Sequence, residues 1–159
     1  DYIKYPPTGN RGVALQVAHD RYMGGPVIKK LSDANRNTAF CALIETLEGV
    51  ENSDAIAAMK DVDLMWIGHF DLSADMGIAG QFDHPDCKKA INKIVKACKK
   101  HDTSLGRLVP EASVGGSLFK QGFDFICHSS DVWMLQTTMR AGADALRKSC
   151  KGGRNRKGR

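Results

Sequence analysis

The chain has 159 residues, of which 42% are hydrophobic and 26% charged, an ordinary composition for one soluble globular domain. No apolar run approaches the ~20 residues that cross a bilayer, and the first residues make no signal peptide, so no membrane role is expected. The formal net charge is +5, and residues 151–159 alone carry five positive and no negative charges. The rest of the chain is therefore close to neutral. We therefore expect no nucleic-acid binding by the fold itself.

Those last nine residues, 151–159, are rich in glycine, lysine and arginine. This composition is typical of a disordered, solvated tail, and contact with a polyanion is the alternative.

The amino-terminal segment, residues 1–37, contains many turn formers. The stretch from Tyr5 to Gly12 has two prolines and two glycines, which excludes a regular helix there. A short helix is predicted from about residue 25 to residue 34.

Strands and helices then alternate. Residues 38–44 form a short continuous apolar run, which is typical of a strand covered on both faces. A helix is predicted from Val50 to Lys60, with Asn52 or Ser53 as its cap. A second buried strand is predicted at residues 62–67, followed by a loop.

The next predicted helix begins at Asp83-His-Pro-Asp86, and its residues divide into an apolar face and a lysine-rich remainder. The apolar face consists of Cys87, Ile91, Ile94, Val95 and Cys98. Two further strand–helix units follow, with strands at residues 104–109 and 123–127. Their helices are predicted at about residues 111–120 and 131–148, with Asp131 as the cap of the second, which has an apolar stripe of Leu135, Met139 and Leu146.

Four successive strand–helix units predict an α/β fold with a parallel sheet. We find no internal repeat and no linker, so residues 1–150 are predicted to form one domain.

The five cysteines show no CxxC pair and no Cys/His metal spacing. They are interpreted as small buried side chains in a reducing compartment, which predicts a cytoplasmic location.

Two acidic residues follow apolar strands. Glu45 ends the first strand, and Asp71 comes shortly after the second. Ligands of parallel α/β folds bind at the carboxyl ends of the strands, where two neighbouring carboxylates would repel each other unless a cation lay between them. Oxygen ligands suit magnesium, manganese or cobalt better than zinc. The alternative is that each acid caps a helix or pairs with a basic residue.

Three stretches resemble the HpcH/HpaI aldolase family, whose members form or cleave carbon–carbon bonds next to pyruvate. Tyr5-Pro-Pro-Thr-Gly-Asn-Arg-Gly-Val13 resembles the family's YPPxGxRGV segment. Ile44-Glu-Thr46, with the helix after it, resembles the IET strand end. Gly68-His-Phe-Asp-Leu-Ser-Ala-Asp-Met-Gly77 resembles the GPADLSxxMG loop.

The resemblance implies a role for each matching position. Glu45 and Asp71 would bind a divalent metal (Mg2+, Mn2+ or Co2+), and the loop of Gly68, His69, Phe70 and Asp71 would hold the pyruvate carboxylate through backbone amides. The implied reaction is formation or cleavage of a 4-hydroxy-2-oxo acid from pyruvate and an aldehyde through a metal-bound pyruvate enolate.

Two positions in the third strand region are also candidates for substrate contact. Arg107 would bind the carboxylate of an acceptor aldehyde, with a salt bridge outside the barrel as the alternative. Leu108 matches a family leucine near a neighbouring subunit's site.

Several positions depart from the family pattern. His69 and Phe70 replace the usual Pro-Ala, and His69 either contacts substrate or faces solvent or caps a backbone group. Leu43 stands where the family commonly has Gln. The strand end around His128 is more polar than usual, and the role of that histidine stays open.

The resemblance implies that these are the last four units of a (β/α)8 TIM barrel, so the chain would be a partial barrel. The family's catalytic Arg and His would lie outside this chain, and the start at Asp1 rather than Met favours a fragment. We expect a homo-oligomer. The alternatives are a catalytically silent subunit that keeps the fold and a citrate-lyase-like enzyme acting on acyl-CoA substrates.

Overall fold

The computed structural model describes residues 2–151, so all of the predicted basic tail except Lys151 lies outside the described residues. The chain divides into two compact units, with the boundary between Gly106 and Arg107. The single domain over residues 1–150 stays a prediction.

Strands and helices alternate along the described chain after a short 3-10 turn at Ala18–Asp20 and the first helix, α1. The bounds are α1 Val27–Asn37, β1 Cys41–Ile44, α2 Leu47–Glu51, α3 Ser53–Ala57, β2 Leu64–Ile67, α4 His69–Asp75, α5 Pro85–His101, β3 Ser104–Val109, α6 Ala112–Gln121, β4 Phe125–His128 and α7 Asp131–Ser149.

The four strands form one sheet in the order β1-β2-β3-β4. The β1–β2 and β2–β3 pairs are parallel, and Ile44 pairs with Ile67 at the carboxyl ends of β1 and β2. Parallel neighbours need a crossover connection, here supplied by the helices between the strands. The predicted α/β class is confirmed.

Helix α5 covers the core of the first unit. Its buried face consists of Cys87, Ala90, Ile94, Val95, Ala97 and Cys98, which includes most of the predicted apolar stripe. Below it, Met65 and Leu105 are almost completely buried, and the Cys98 Sγ lies 3.6 Å from the Met65 Sδ. The helix begins at Pro85, where the His84 Nδ1 accepts a hydrogen bond from the Asp86 N–H at 3.2 Å.

The single helix predicted from Val50 to Lys60 is wrong. The chain forms two short helices, α2 and α3, which meet at Asn52. The first begins earlier than predicted because the Thr46 hydroxyl caps it by accepting from the Gly49 N–H at 3.0 Å.

Two other boundaries differ from the prediction. The loop after Gly68 is instead the seven-residue helix α4. The cap of α7 is Ser130, whose hydroxyl accepts from the Trp133 N–H at 3.3 Å, so Asp131 is the first helical residue and not the cap.

The burial predicted for several apolar segments is also wrong. Cys41 and Leu43 in β1 are exposed, as are Cys127 and Cys150, whereas Cys87 and Cys98 are buried as predicted. Helix α7 has no buried residue. An apolar pattern predicts a surface that packs against another element, but it does not identify that element.

Within residues 2–151, no helix combines the length and the apolar character that crossing a membrane requires.

Candidate active site

The candidate metal pair lies at the carboxyl ends of β1 and β2. Glu45 directly follows β1 and is half-buried, whereas Asp71 is the third residue of α4 and is exposed. The strand register continues past Ile44 and Ile67, because the Gly68 N–H donates to the Ile44 carbonyl oxygen at 3.0 Å. Glu45 is therefore opposite Gly68. Gly68 precedes Asp71 by three residues along the chain.

Gly68 is in close contact with the side chain of Glu45. A Cβ atom at Gly68 would lie 3.0 Å from both the Cβ and the Oε2 of Glu45, and 3.3 Å from the Leu43 Cδ1. No larger residue fits there unless the carboxylate moves. The absence of a side chain at Gly68 thus leaves room for the Glu45 carboxylate at this position.

Helix α4 begins at the same point. The Leu72 N–H donates to the Gly68 carbonyl oxygen at 2.8 Å, which makes Gly68 the residue before the first helical turn. N–H groups in a first turn, such as those of Phe70 and Asp71, have no intrahelical acceptor. They can therefore donate to a bound anion.

Ser73 fixes the backbone of this turn. Its hydroxyl donates to the Phe70 carbonyl oxygen at 2.8 Å and accepts from the Gly80 N–H at 3.0 Å, and the residue is completely buried. Asp75, at the end of α4, accepts from the Leu47 N–H at 2.7 Å and so connects α4 to the start of α2. Neither role could be predicted, because a hydrogen bond from a side chain to a backbone group leaves no pattern in the sequence.

His69 belongs to a cluster of three aromatic rings. Its ring centroid lies 4.7 Å from that of Phe70 and 4.9 Å from that of Phe82, and the two phenyl rings are 4.8 Å apart. His69 is 8% exposed and Phe70 is 58% exposed. The solvent-facing alternative for His69 is therefore wrong, and its contact with substrate stays a prediction. Phe82 could not have been found from the sequence, since nothing in the pattern of the preceding loop marks it.

The second unit contains the other candidates. Arg107 and Leu108 lie in β3 and are half-buried, and His128 is the last residue of β4 and is exposed. Their roles stay predictions.

A divalent cation fits the chemistry of the pair formed by Glu45 and Asp71. Within residues 2–151 there is no group of three or more His, Cys, Asp or Glu side chains that could hold a metal ion. Zinc sites usually need three or four protein ligands, whereas magnesium is commonly bound by one or two carboxylates together with water and substrate. Binding of Mg2+, Mn2+ or Co2+ by this pair stays a prediction.

Residues 1–138 match the model of the HpcH/HpaI aldolase/citrate lyase family. The chain belongs to this family. It is 34% identical over 145 residues to 5-keto-4-deoxy-D-glucarate aldolases of Shigella boydii and of Escherichia coli, which covers 91% of this chain and 56% of each relative. The chain thus spans about half the length of the curated relatives it matches.

Solved structures of the HpcH/HpaI family have the same fold. The aldolase from Desulfitobacterium hafniense is 30% identical with a TM-score of 0.76, over 91% of this chain and 56% of that one. The family protein from Burkholderia cenocepacia is 28% identical with a TM-score of 0.80, over 91% and 57%. Macrophomate synthase, 24% identical with a TM-score of 0.79 over 97% and 55%, supports the fold alone.

A groove of about 860 Å3 lies between α2, α3 and α5, away from the strand ends where this HpcH/HpaI chain has its acidic pair. Ion pairs cross it, from Lys93 to Glu51 at 2.5 Å and from Lys100 to Asp54 at 2.9 Å. The hydrogen bond from Lys100, followed by that from His101, lowers the pKa of the Asp54 carboxyl. We therefore assign the groove to the packing of these helices, because ion pairs between them cross it.

Proposed function

We propose that the protein is a divalent-metal-dependent carbon–carbon lyase that forms or cleaves 4-hydroxy-2-oxo acids from pyruvate and an aldehyde. The named relatives support this reaction class at 34% identity. When the carbon atoms of 5-keto-4-deoxy-D-glucarate, the compound in their name, are numbered from the opposite end, it is itself a 4-hydroxy-2-oxo acid.

One observation carries the proposal: the Glu45 carboxylate lies on Gly68, within three residues of a second carboxylate. Burying even part of the Glu45 carboxylate is unfavourable unless a cation or a donor compensates. No ion pair is present at Glu45 or Asp71 among the described residues. A metal site accounts for the arrangement better than the capping or salt-bridge alternative.

Each residue of the site has a distinct part in this proposal. Glu45 and Asp71 would hold the cation, and bound there it would supply Lewis acidity to the two oxygens of a 2-oxo acid. The N–H groups of Phe70 and Asp71 would donate to the carboxylate of that acid, which needs no titrating group. Gly68 and His69 complete this loop, Gly68 by permitting the close approach and His69 by anchoring the turn in the aromatic cluster.

In the forward reaction the methyl group of pyruvate loses a proton to solvent water, and the resulting enolate carbon forms a bond to the aldehyde carbon as the carbonyl π bond breaks. The aldehyde oxygen takes up a proton from solvent water, and cleavage reverses both steps. Arg107 is proposed to bind a carboxylate on the aldehyde, and Leu108 to lie near the site of a neighbouring copy. The family's Arg and His, which polarise the ketone and transfer the proton, have no counterpart among these positions.

Exchange of the pyruvate methyl protons for deuterium tests the proposal without an aldehyde. With Mn2+ or Mg2+ present, NMR should show exchange faster than in buffer, and Glu45→Gln should abolish the increase. A folded chain that binds the cation but gives no exchange would favour the catalytically silent subunit.

A further inference from the structure

We propose that Phe70, together with Leu43 and Phe82, forms an apolar wall at this site that selects an aldehyde with an aromatic or similarly flat apolar side chain. This inference rests on the proposed function and names the class of its second substrate.

The wall is exposed where apolar side chains are usually covered. Phe70 is 58% and Leu43 is 52% exposed, although their neighbours Leu72 and Ile44 are almost completely buried. Exposed apolar groups next to polar binding groups are typical of ligand sites, because a ligand that covers them removes apolar surface from water.

Both side chains adjoin the acidic pair. A Cβ atom built on Gly68 would lie 3.3 Å from the Leu43 Cδ1 and 3.0 Å from the Glu45 Oε2, so both side chains approach Gly68. Phe70 directly precedes Asp71 in the first turn of α4. A molecule held by the two carboxylates through a cation would therefore have these apolar groups as neighbours.

The exposed ring of Phe70 is held in place before a ligand arrives. Phe82 contacts it edge-on at 4.8 Å, with an angle of 85° between the ring planes, and the buried His69 contacts both rings. The Phe70 carbonyl is fixed by the Ser73 hydroxyl at 2.8 Å. A rigid ring can stack on another ring with little loss of conformational entropy.

Two departures from the family pattern enlarge the apolar surface at this place. Leu43 stands where the family commonly has a polar residue, and Phe70 stands where it has a small one.

Saturation-transfer NMR with benzyl alcohol, an unreactive analogue of an aromatic aldehyde, tests the wall directly. With Mg2+ and pyruvate present, we expect a clear signal for the ring protons on the protein and a loss of roughly fivefold in Phe70→Ala. Leu43→Gln should give a smaller loss. Phe119→Ala, which removes a phenyl ring that is 67% exposed on α6, is the matched control and should leave the signal unchanged.

An equal signal in Phe70→Ala and the unsubstituted protein would overturn the inference. The deuterium exchange of pyruvate is measured on the same samples and reports the proposed function separately. Exchange without a Phe70-dependent ring signal would support the aldolase site and refute aldehyde selection by the apolar wall. A Phe70-dependent signal without exchange would establish an aromatic-binding surface and refute the aldolase. Where exchange occurs, the ratio of product from benzaldehyde to product from butanal should also fall roughly fivefold in Phe70→Ala.

Discussion

At the scale of single residues, the site depends on positions that carry little chemistry themselves. The sequence predicted Glu45 and Asp71 as a pair because each follows an apolar strand, and the register of β1 and β2 confirms that both strand ends are adjacent. The contact between Gly68 and the Glu45 carboxylate could not be predicted, because it depends on a separation between strands that no pattern encodes.

Adding one methyl group at Gly68 should displace the metal ligand. In Gly68→Ala the new Cβ would lie 3.0 Å from the Glu45 Oε2, so the carboxylate must move. We expect manganese affinity to fall about tenfold, the size of effect typical when a ligand's supporting group is altered. Calorimetric titration measures it. Gly116→Ala, where a Cβ meets nothing within 4 Å, is the control and should bind normally.

Asp20 should make the stability of the protein depend on pH at acidic values. The hydrogen bond from Lys30, followed by that from the Gln16 N–H, lowers the pKa of the Asp20 carboxyl from 3.8 to about 2. A lowered folded pKa contributes stability that is present above the unfolded pKa, near 4, and is lost as the pH falls toward 2.

Urea unfolding at pH 5 and at pH 3 checks this expectation. Asp20→Asn should reduce the difference in stability between the two pH values, whereas the exposed Asp61→Asn should not. The same pH dependence in both variants would contradict the role assigned to Asp20.

At the scale of elements, apolar runs located all four strands, while the helices around the site were misjudged. Helix α4 was predicted as a loop because its seven residues are too few to show an amphipathic period. The break at Asn52 was missed for a related reason, since a residue that can cap a helix can also interrupt one. The start of α2 depends on a distant residue, because the Asp75 carboxylate accepts a hydrogen bond from the Leu47 N–H.

Ser73 should be essential to the fold of α4 and the turn after it. Ser73→Ala removes a donor from the Phe70 carbonyl and an acceptor from the Gly80 N–H. Leaving buried polar groups unpaired costs about 1–3 kcal/mol, and we expect a loss of that size in the free energy of unfolding. Urea denaturation measures it, with the exposed Ser117→Ala as control. Equal stabilities of the two variants would show that water replaces the hydroxyl.

At the scale of the whole molecule, the unexpected feature is how much apolar surface remains uncovered. Helix α7 has no buried residue, and it exposes Val132, Trp133, Met134, Leu135, Met139 and Leu146. The sequence predicted the apolar stripe on this helix, but a pattern cannot identify the surface that covers it. Large exposed apolar areas are typical of association sites.

We therefore expect the protein to self-associate through α7. In sedimentation experiments at micromolar concentration, Leu135→Lys with Met139→Lys should shift the protein toward the monomer, because a buried unpaired ammonium is costly. Gln136→Lys adds a charge at a polar position of the same helix and should have little effect. An unsubstituted protein that stays monomeric at every concentration would refute the expectation.

The central claim, that Glu45 and Asp71 form a metal site for a 2-oxo acid, is tested most directly by manganese binding in a calorimeter. The account predicts binding that pyruvate strengthens and that Glu45→Gln with Asp71→Asn abolishes. A control with Glu48→Gln and Asp61→Asn, which removes two exposed charges outside the site, should bind as the unsubstituted protein does. Binding that survives loss of the pair, or no binding by a folded protein, would contradict the claim.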